Sequence, residues 1–388
     1  MFQRIRDFFL DIFRQADMVL LVLCCAATAF GLLEIASATR YMGSWKYVAI
    51  QGAAAALGVV AYLVMSMVDI NELSKGWKWM IIGNVVLILL LRTPLGVDDG
   101  TGNRAWLHIP HFPVSMQPAE IVKITFTIVL AKQLVWQREE WKFNGIRSVG
   151  FLGAHILALV GLYYLASGDM GSALVFIFMF ACMAFVAGVK ARWFVLGLAA
   201  GGAATYVLWI KDKVSPYMKQ RILLLFDHDM DTLGVGWHQT RSILALGSGK
   251  LTGQGPFHGT QTQSPYSWSL PARHTDFIFS AIGEELGLLG CVAALAILAA
   301  IVVRCLVVAY RAKTKFETYL CVGMAAVVIF QTIVNVGMCL FIMPVIGLTL
   351  PFFSYGGSSL VTMFAAMGVV SGVQKRSLPE WLRKSLKK

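Results

Sequence analysis

The sequence predicts an all-α integral membrane protein: about ten transmembrane helices in one bundle, both termini cytoplasmic, and a long extracellular loop between helices 7 and 8. Three observations carry this. Of the 388 residues, 57% are hydrophobic and only 14% charged, against about 45–50% and about 25% in soluble domains. The apolar residues gather into blocks of about 17–25, the length needed to cross about 30 Å of hydrocarbon. Lys and Arg crowd one side of these blocks. Such a composition excludes a soluble enzyme, a disordered chain and a secreted disulfide module.

Residues 1–16 are expected to form an amphipathic helix lying in the membrane interface. Phe2, Ile5, Phe8, Phe9, Ile12 and Phe13 share one helical face, while Arg4, Arg6, Asp7, Asp11 and Arg14 lie elsewhere. The pattern is not that of a cleavable signal peptide. Ten spans follow within one membrane domain, 17–375, at roughly 17–37, 46–68, 77–92, 117–136, 148–166, 171–189, 192–210, 276–304, 317–343 and 354–374. The third is short, and the fourth carries Lys123 and Lys132. A basic tail is expected over 376–388, with Trp381, Leu382 and Leu386 among its Lys and Arg.

An even number of spans puts both termini on one side. On that topology 21 of the 33 Lys and Arg lie in inner segments, and four (Arg40, Lys46, Arg92 and Arg104) in short outer loops. The positive-inside bias then sets both termini in the cytoplasm. The net charge of +12 becomes a topological signal, and no nucleic-acid partner is expected. The seven cysteines sit in apolar segments or at their ends, as small buried residues rather than a disulfide framework.

The outer side receives two irregular polar loops, 93–116 and 211–275. It also receives the turn Ser167-Gly168-Asp169 and the Gly/Ser-rich run 352–359, which includes Ser358. Loops carry function more often than spans do. No internal repeat is evident, so the inverted-repeat signature of many transporters is missing.

Asp276 stands where the long outer loop enters the eighth span, after Arg273 and His274. Position alone allows two readings: a carboxylate satisfied by the free N–H groups of a helix start, or a general base at the outer surface. Lys123 lies about two turns into the fourth span. A Lys at that depth needs a partner or a polar cavity. Glu120, three residues earlier, supplies the ion pair, while Lys123, Arg104 and Arg273 together could line an anion site. Glu284 and Glu285, adjacent in the eighth span, are open to pairing with Lys123, Arg104 or a cation. Asp169 reads as a helix cap or a site residue. Gln331 and Asn335, four apart in the ninth span, read as interhelical hydrogen-bond formers, and that span is the candidate for partner contact.

Three further strings are weak. Asp227, Asp229 and Asp231 lie in a loop that reads as solvated, and His108 and His111 lack further ligands. Gly247-Ser248-Gly249-Lys250 is close to the end of a phosphate-binding loop. Leu244 and Leu251 stand where that motif needs Gly and Ser or Thr, so a flexible turn is expected. With no nucleotide motif, an outer-face reaction must draw on an already activated substrate or a gradient.

The segments 271–290 (PARHTDFIFSAIGEELGLLG) and 347–359 (GLTLPFFSYGGSS), with Gln117-Pro118-Ala119-Glu120, resemble the SEDS family, the shape, elongation, division and sporulation proteins of the RodA/FtsW type. The resemblance spans nearly the whole chain. It implies a peptidoglycan glycosyltransferase that polymerises lipid II, a disaccharide-pentapeptide on undecaprenyl diphosphate, at the outer leaflet of the bacterial cytoplasmic membrane. It also implies a class B penicillin-binding protein as partner. The family's essential Asp falls on Asp276. Its Gln-Pro-x-Glu motif and following Lys fall on Gln117, Pro118, Glu120 and Lys123, and its span-six Asp falls on Asp169. The substrate-binding candidates are then Lys123, Arg104, Glu120, Arg273, His274, Asp169, Glu285 and Ser358. Two departures stand out: Ala272 replaces a usual Glu, and Ala105 a usual Arg, with Arg104 one place earlier.

The implied chemistry suits these residues. An inverting glycosidase needs two carboxylates because its leaving group is a poor alkoxide. A diphosphate leaves as a stable anion, so one base plus cations is sufficient. A divalent cation, Mg or Mn, at the diphosphate is compatible with this but has no ligand signature here. A flippase for the same lipid-linked precursor would use the cations without a base, and a non-catalytic scaffold would need neither.

Overall fold

A computed structural model describes residues 16–98, 103–108, 115–212, 216–227, 234, 236–266 and 268–377. All but residue 16 of the interfacial helix expected over 1–16, most of the basic tail and the acidic string beyond Asp227 lie outside the described residues, as does His111.

The described chain is almost wholly helical. The helices are α1 (Met18–Thr39), α2 (Lys46–Met67), α3 (Ile70–Lys75), α4 (Trp77–Leu90), α5 (Pro118–Glu140), α6 (Ile146–Ser167) and α7 (Met170–Val186). They continue with α8 (Ala191–Ile210), α9 (Pro216–Leu223), α10 (Trp237–Gly249), α11 (Ile278–Arg311), α12 (Lys315–Cys339) and α13 (Gly357–Ser377). Seven of them are long and apolar enough to cross a membrane. Of the other three expected spans, α4 and α7 are shorter apolar helices, and α5 is long but charged, with Pro at its first turn. Two short strands, β1 (Gly96–Val97) and β2 (Trp106–Leu107), pair antiparallel in the loop before α5.

Packing is uneven in a way that suits a bilayer. Helix α13 lies along α2, and α12 contacts α5, α7 and α11. Helix α12 is mostly buried, whereas α8 buries no residue, as expected of a span that faces lipid all round. One end of the bundle is locked by Asp17, whose carboxylate takes two bonds from Arg304 (2.8 and 3.1 Å).

The eighth expected span, 276–304, is not one continuous helix. Helix α11 breaks at Gly287, where φ is 67° and ψ −163°. Cys291 Sγ lies 4.0 Å from the carbonyl of Phe279, although twelve residues along one helix would separate them by about 18 Å. The short limb before Gly287 therefore folds back beside the long limb. Hydrogen-bonding groups opened by the break are taken up by 250–255. Leu288 N donates to Lys250 O (2.9 Å), Leu289 N to Leu251 O (3.2 Å), Gln254 N to Glu284 O (3.0 Å) and Gly255 N to Glu285 O (2.9 Å). Non-helical backbone within an apolar bundle survives only where such partners exist.

The loop 211–275 is thus not a free outer excursion; part of it is built into the bundle. Nor is 247–250 the flexible turn expected. It ends α10, and Gly249 approaches the bundle so closely that an added Cβ would lie 1.8 Å from the carbonyl oxygen of Gly283. Helix α10 is fixed by Gln239, which donates to the carbonyls of Met338 (3.1 Å) and Met343 (2.8 Å). Ser242 joins it, bonded to Ser280 (2.5 Å) and Cys339 O (2.7 Å).

The backbone at Gly287 is a conformation reserved for glycine and costs other residues about 1–3 kcal/mol. Gly287→Ala should lower the melting temperature in detergent by several degrees. A surface glycine such as Gly52, which has open space around it, should accept alanine without loss.

Candidate active site

The site is built around the turn that leads into α11. Ala272 takes the left-handed conformation (φ 44°), and its carbonyl accepts from Thr275 N (3.0 Å) and Phe277 N (3.1 Å). The helix begins at Ile278 with Phe277 as its cap residue. Asp276 therefore precedes the helix and is not its cap. Three successive carbonyls of the turn are held from other elements. Tyr355 N donates to His274 O (2.8 Å), Ser354 Oγ to Thr275 O (2.7 Å), and Asn335 Nδ2 to Asp276 O (2.8 Å).

Those donors are themselves fixed. Asn335 also donates to Leu348 O (2.8 Å), tying α12 to the loop before α13. Gln51 of α2 donates to Ser354 O and accepts from Gly356 N, both at 3.1 Å. Asn335 and Gln51 are completely buried. Asp276 is thus carried on a backbone gripped from α12 and from the loop that begins α13. Gln51 and Ser354 were not among the sequence candidates. The signal for Gln51 was present, as an amide in the second turn of an apolar span.

The second part of the site lies on α5. Lys123 and Glu120 form an ion pair at 2.7 Å with side chains only 4% and 6% exposed. Glu120 also accepts from Thr362 Oγ1 (3.3 Å) in the second turn of α13. Ser358, one turn earlier, has a buried hydroxyl with no hydrogen-bond partner. The loop that grips the Asp276 turn therefore runs directly into the helix that touches the Lys123–Glu120 pair.

A third group forms a corner at the start of α7. Asp169 caps that helix, accepting from Ser172 N (3.2 Å), and also takes bonds from Tyr163 (2.9 Å) and Gln117 (3.3 Å). Arg104 is pinned there by its own N–H, which donates to Ser167 O (2.8 Å), while its side chain is exposed. Asp169 thus supports the corner, and Arg104 presents its charge outward.

Several expectations are corrected. Arg273 does not face an anion. Its guanidinium donates to the carbonyls of Gln261 (2.8 Å), Thr262 and Ser264 (2.8 Å) and lies 3.7 Å from the ring centre of Tyr41. Its donors are used to hold the loop. Glu284 and Glu285 pair with neither Lys123 nor Arg104. Glu284 accepts from Thr260 Oγ1 (3.0 Å), Gln261 N (2.7 Å), and Thr262 N and Oγ1 (2.7 and 2.6 Å). Glu285 accepts from Ser37 (2.6 Å), Phe257 N (2.9 Å) and Gln263 (2.9 Å). The pair fastens 257–263 to the bundle, because a buried carboxylate is stable only when surrounded by donors. Gln331 and Asn335 are buried, so they form no partner-facing surface.

His274 packs edge-on to Tyr47 (5.1 Å) and is tilted over Tyr355 (5.8 Å). Burial, reinforced by the Arg273 charge, depresses its pKa to about 4. It is neutral near pH 7 and is neither a cation for an anionic substrate nor a strong base. Among the described residues no three His, Cys, Asp or Glu side chains gather as a metal site.

Fold and site together define a polytopic α-helical membrane protein with a buried polar centre. The chain belongs to the family described as cell cycle protein (FtsW/RodA/SpoVE), whose model matches residues 17–378. It is 32% identical over 367 residues to the probable peptidoglycan glycosyltransferase FtsW of Geobacter metallireducens, covering 93% of this chain and 95% of that protein. To the peptidoglycan glycosyltransferase MrdB of Escherichia coli K12 it is 32% identical over 324 residues, covering 82% and 83%. Among solved structures, a chain from work on polymerization and crosslinking by a peptidoglycan synthase complex aligns with a TM-score of 0.78 at 28% identity, covering 93% of this chain and 98% of that one. The rod shape determining protein RodA of Thermus thermophilus aligns with a TM-score of 0.69 at 26% identity, covering 94% and 98%.

Two outcomes are expected. Asn335→Leu strands two buried carbonyls, at about 1–3 kcal/mol each, and should lower the melting temperature well beyond a neutral core exchange. Glu284→Ala removes four donors' common acceptor and should make 254–264 at least about tenfold more sensitive to limited proteolysis, while the long helices stay protected.

Proposed function

We propose that this protein polymerises lipid II into glycan strands at the outer leaflet of the cytoplasmic membrane, with both termini in the cytoplasm and a class B penicillin-binding protein as partner. The observation that carries the reading is the Asp276 turn. A carboxyl-bearing residue sits on a backbone held by three carbonyl contacts from two other elements, which is what a base with a fixed line of attack requires.

In the reaction Asp276 removes the proton from the 4-hydroxyl of an acceptor N-acetylglucosamine. That oxygen forms a bond to the anomeric carbon of a lipid-linked N-acetylmuramic acid, from the face opposite the leaving group. The bond from that carbon to the diphosphate oxygen breaks, and the electron pair leaves with the polyprenyl diphosphate. The proton remains on Asp276 until solvent takes it. No acid is needed, because the diphosphate departs as a stable anion.

Lys123 and Arg104 are the cations assigned to the diphosphate. Arg273 is not assigned there, because its donors already serve the loop. Lys123 is held in place by Glu120, and breaking such a buried pair from one side costs about 3–5 kcal/mol. The unpartnered hydroxyl of Ser358 is available to a substrate oxygen. Among the described residues no side-chain cluster fits a protein-held divalent ion, so Mg or Mn at this site would be ligated chiefly by the diphosphate. A flippase would use the same cations but gains nothing from a fixed carboxylate.

In a polymerisation assay with purified lipid II and the partner transpeptidase, Asp276→Asn should lose at least about 10²–10⁴ of the rate while remaining folded and partner-bound. Lys123→Met should lose polymerisation and also show a lower melting temperature, because Glu120 is left buried without its cation. Polymer from Asp276→Asn at the wild-type rate would overturn the assignment.

A further inference from the structure

An open cavity of about 240 Å³ lies beside the Asp276 turn, with Tyr41, Tyr266, Pro271, Arg273 and His274 among its walls. The chemistry above leaves it unassigned, although the stretch from Pro271 to His274 runs directly into the acid. Tyr266, in its wall, stacks on Trp268, which lies just outside the lining, with ring centres 4.4 Å apart and planes 8° from parallel. Both rings stay more than half exposed, at 56% and 55%. Ser269 N and Oγ donate to Tyr266 O at 3.2 and 2.5 Å. A preset pair of rings is a binding platform with little ordering cost.

The lining restricts what the cavity can take. Its one permanent cation, Arg273, has its donors on three backbone carbonyls and its face on Tyr41, so an anion finds no free partner. His274 is neutral near pH 7, and its Nδ1 is buried without a hydrogen-bond partner. An acyl chain would leave the tyrosine hydroxyls, the imidazole and the guanidinium edge unmatched. What fits is a neutral ring with one apolar face and a polar edge. A pyranose has that form. Its ring C–H bonds make a face that packs on an aromatic plane, and its hydroxyl and N-acetyl groups reach out to tyrosine hydroxyls and an imidazole. The volume admits about one such ring.

We propose that this cavity, with Tyr266 in its wall and Trp268 stacked on that ring just outside it, is a saccharide subsite that seats an N-acetylhexosamine ring of the glycan beside Asp276. The identity of the sugar rests on the glycosyltransferase reading; the preference for a neutral ring rests on the lining alone.

The test uses the full-length protein in detergent, titrated calorimetrically with chitotetraose, a neutral oligomer of N-acetylglucosamine. Wild type and Asp276→Asn should bind. Tyr266→Ala and Trp268→Ala should each bind at least about tenfold more weakly at an unchanged melting temperature, since both rings are exposed, and should make shorter strands from lipid II. No binding by wild type, or equal binding by the aromatic variants, would overturn the proposal. So would variants that bind sugar normally but lose association with anionic phospholipid vesicles, because the rings would then be interfacial anchors. Sugar binding without polymerisation by wild type would count against the glycosyltransferase reading instead. Polymerisation without sugar binding would count only against the subsite.

Discussion

Unpaired backbone polarity is intolerable inside an apolar bundle, and the rest of this structure follows from how that constraint is met at Gly287. The break there opens carbonyl and N–H groups of residues 284–289, and 250–255 supplies their partners. That repair pulls part of the long loop into the bundle. Once it is there, Glu284 and Glu285 become its anchors, each oxygen occupied by a loop donor. The short limb of α11 folds back, and the turn that carries Asp276 is brought against Asn335 and the loop leading to α13. A straight helix through 276–304 would leave Asp276 at the end of a span, with none of these contacts.

The same constraint sorts the charges. Among the described residues most buried cations and carboxylates are either paired with each other, as Lys123 with Glu120, or saturated by neutral partners, as Arg273 and Glu284; Glu34, fully buried, has no hydrogen-bond partner on either carboxylate oxygen. His274, held between Tyr47, Tyr355 and Arg273, is neutral instead. What this leaves for chemistry is a small set: a carboxylate on a fixed turn, one buried lysine whose charge is balanced by a single carboxylate, and an exposed arginine pinned through its backbone. Within this set Asp276 is the proposed base, with His274 beside it as the other proton acceptor at the turn.

Much of this was legible in the sequence. Hydrophobic blocks located the helices because a bilayer imposes their length, and ten helices occupy the ten expected stretches. Asp276, Lys123 and Glu120 stood out because charges near or within apolar spans need reasons, and the spacing of Glu120 and Lys123 gave their pairing. Asn335 was readable as an interhelical hydrogen-bond former, though not that its partner would be the Asp276 turn. Arg273 reads in the sequence as an anion ligand, and the roles of Glu284 and Glu285 stay open there. All three look like site charges in a linear string, and only the folded loop shows that their partners are backbone and side-chain groups of 257–264, with Ser37 of α1 added at Glu285. The break at Gly287 was equally hidden, since one glycine in an apolar helix carries no local sign that a turn segment about 35 residues earlier, 250–255, will pair with its opened backbone.

The most direct test of Asp276 as the base is the pH–rate profile of lipid II polymerisation, compared between wild type and His274→Gln. His274 is the one other group at the turn that could accept the proton, and its depressed pKa puts its titration at the same low pH as an aspartate. An acid limb that persists unchanged in His274→Gln is the expected result and assigns the ionisation to the carboxylate. An acid limb that disappears in His274→Gln would make the imidazole the base and contradict the central claim.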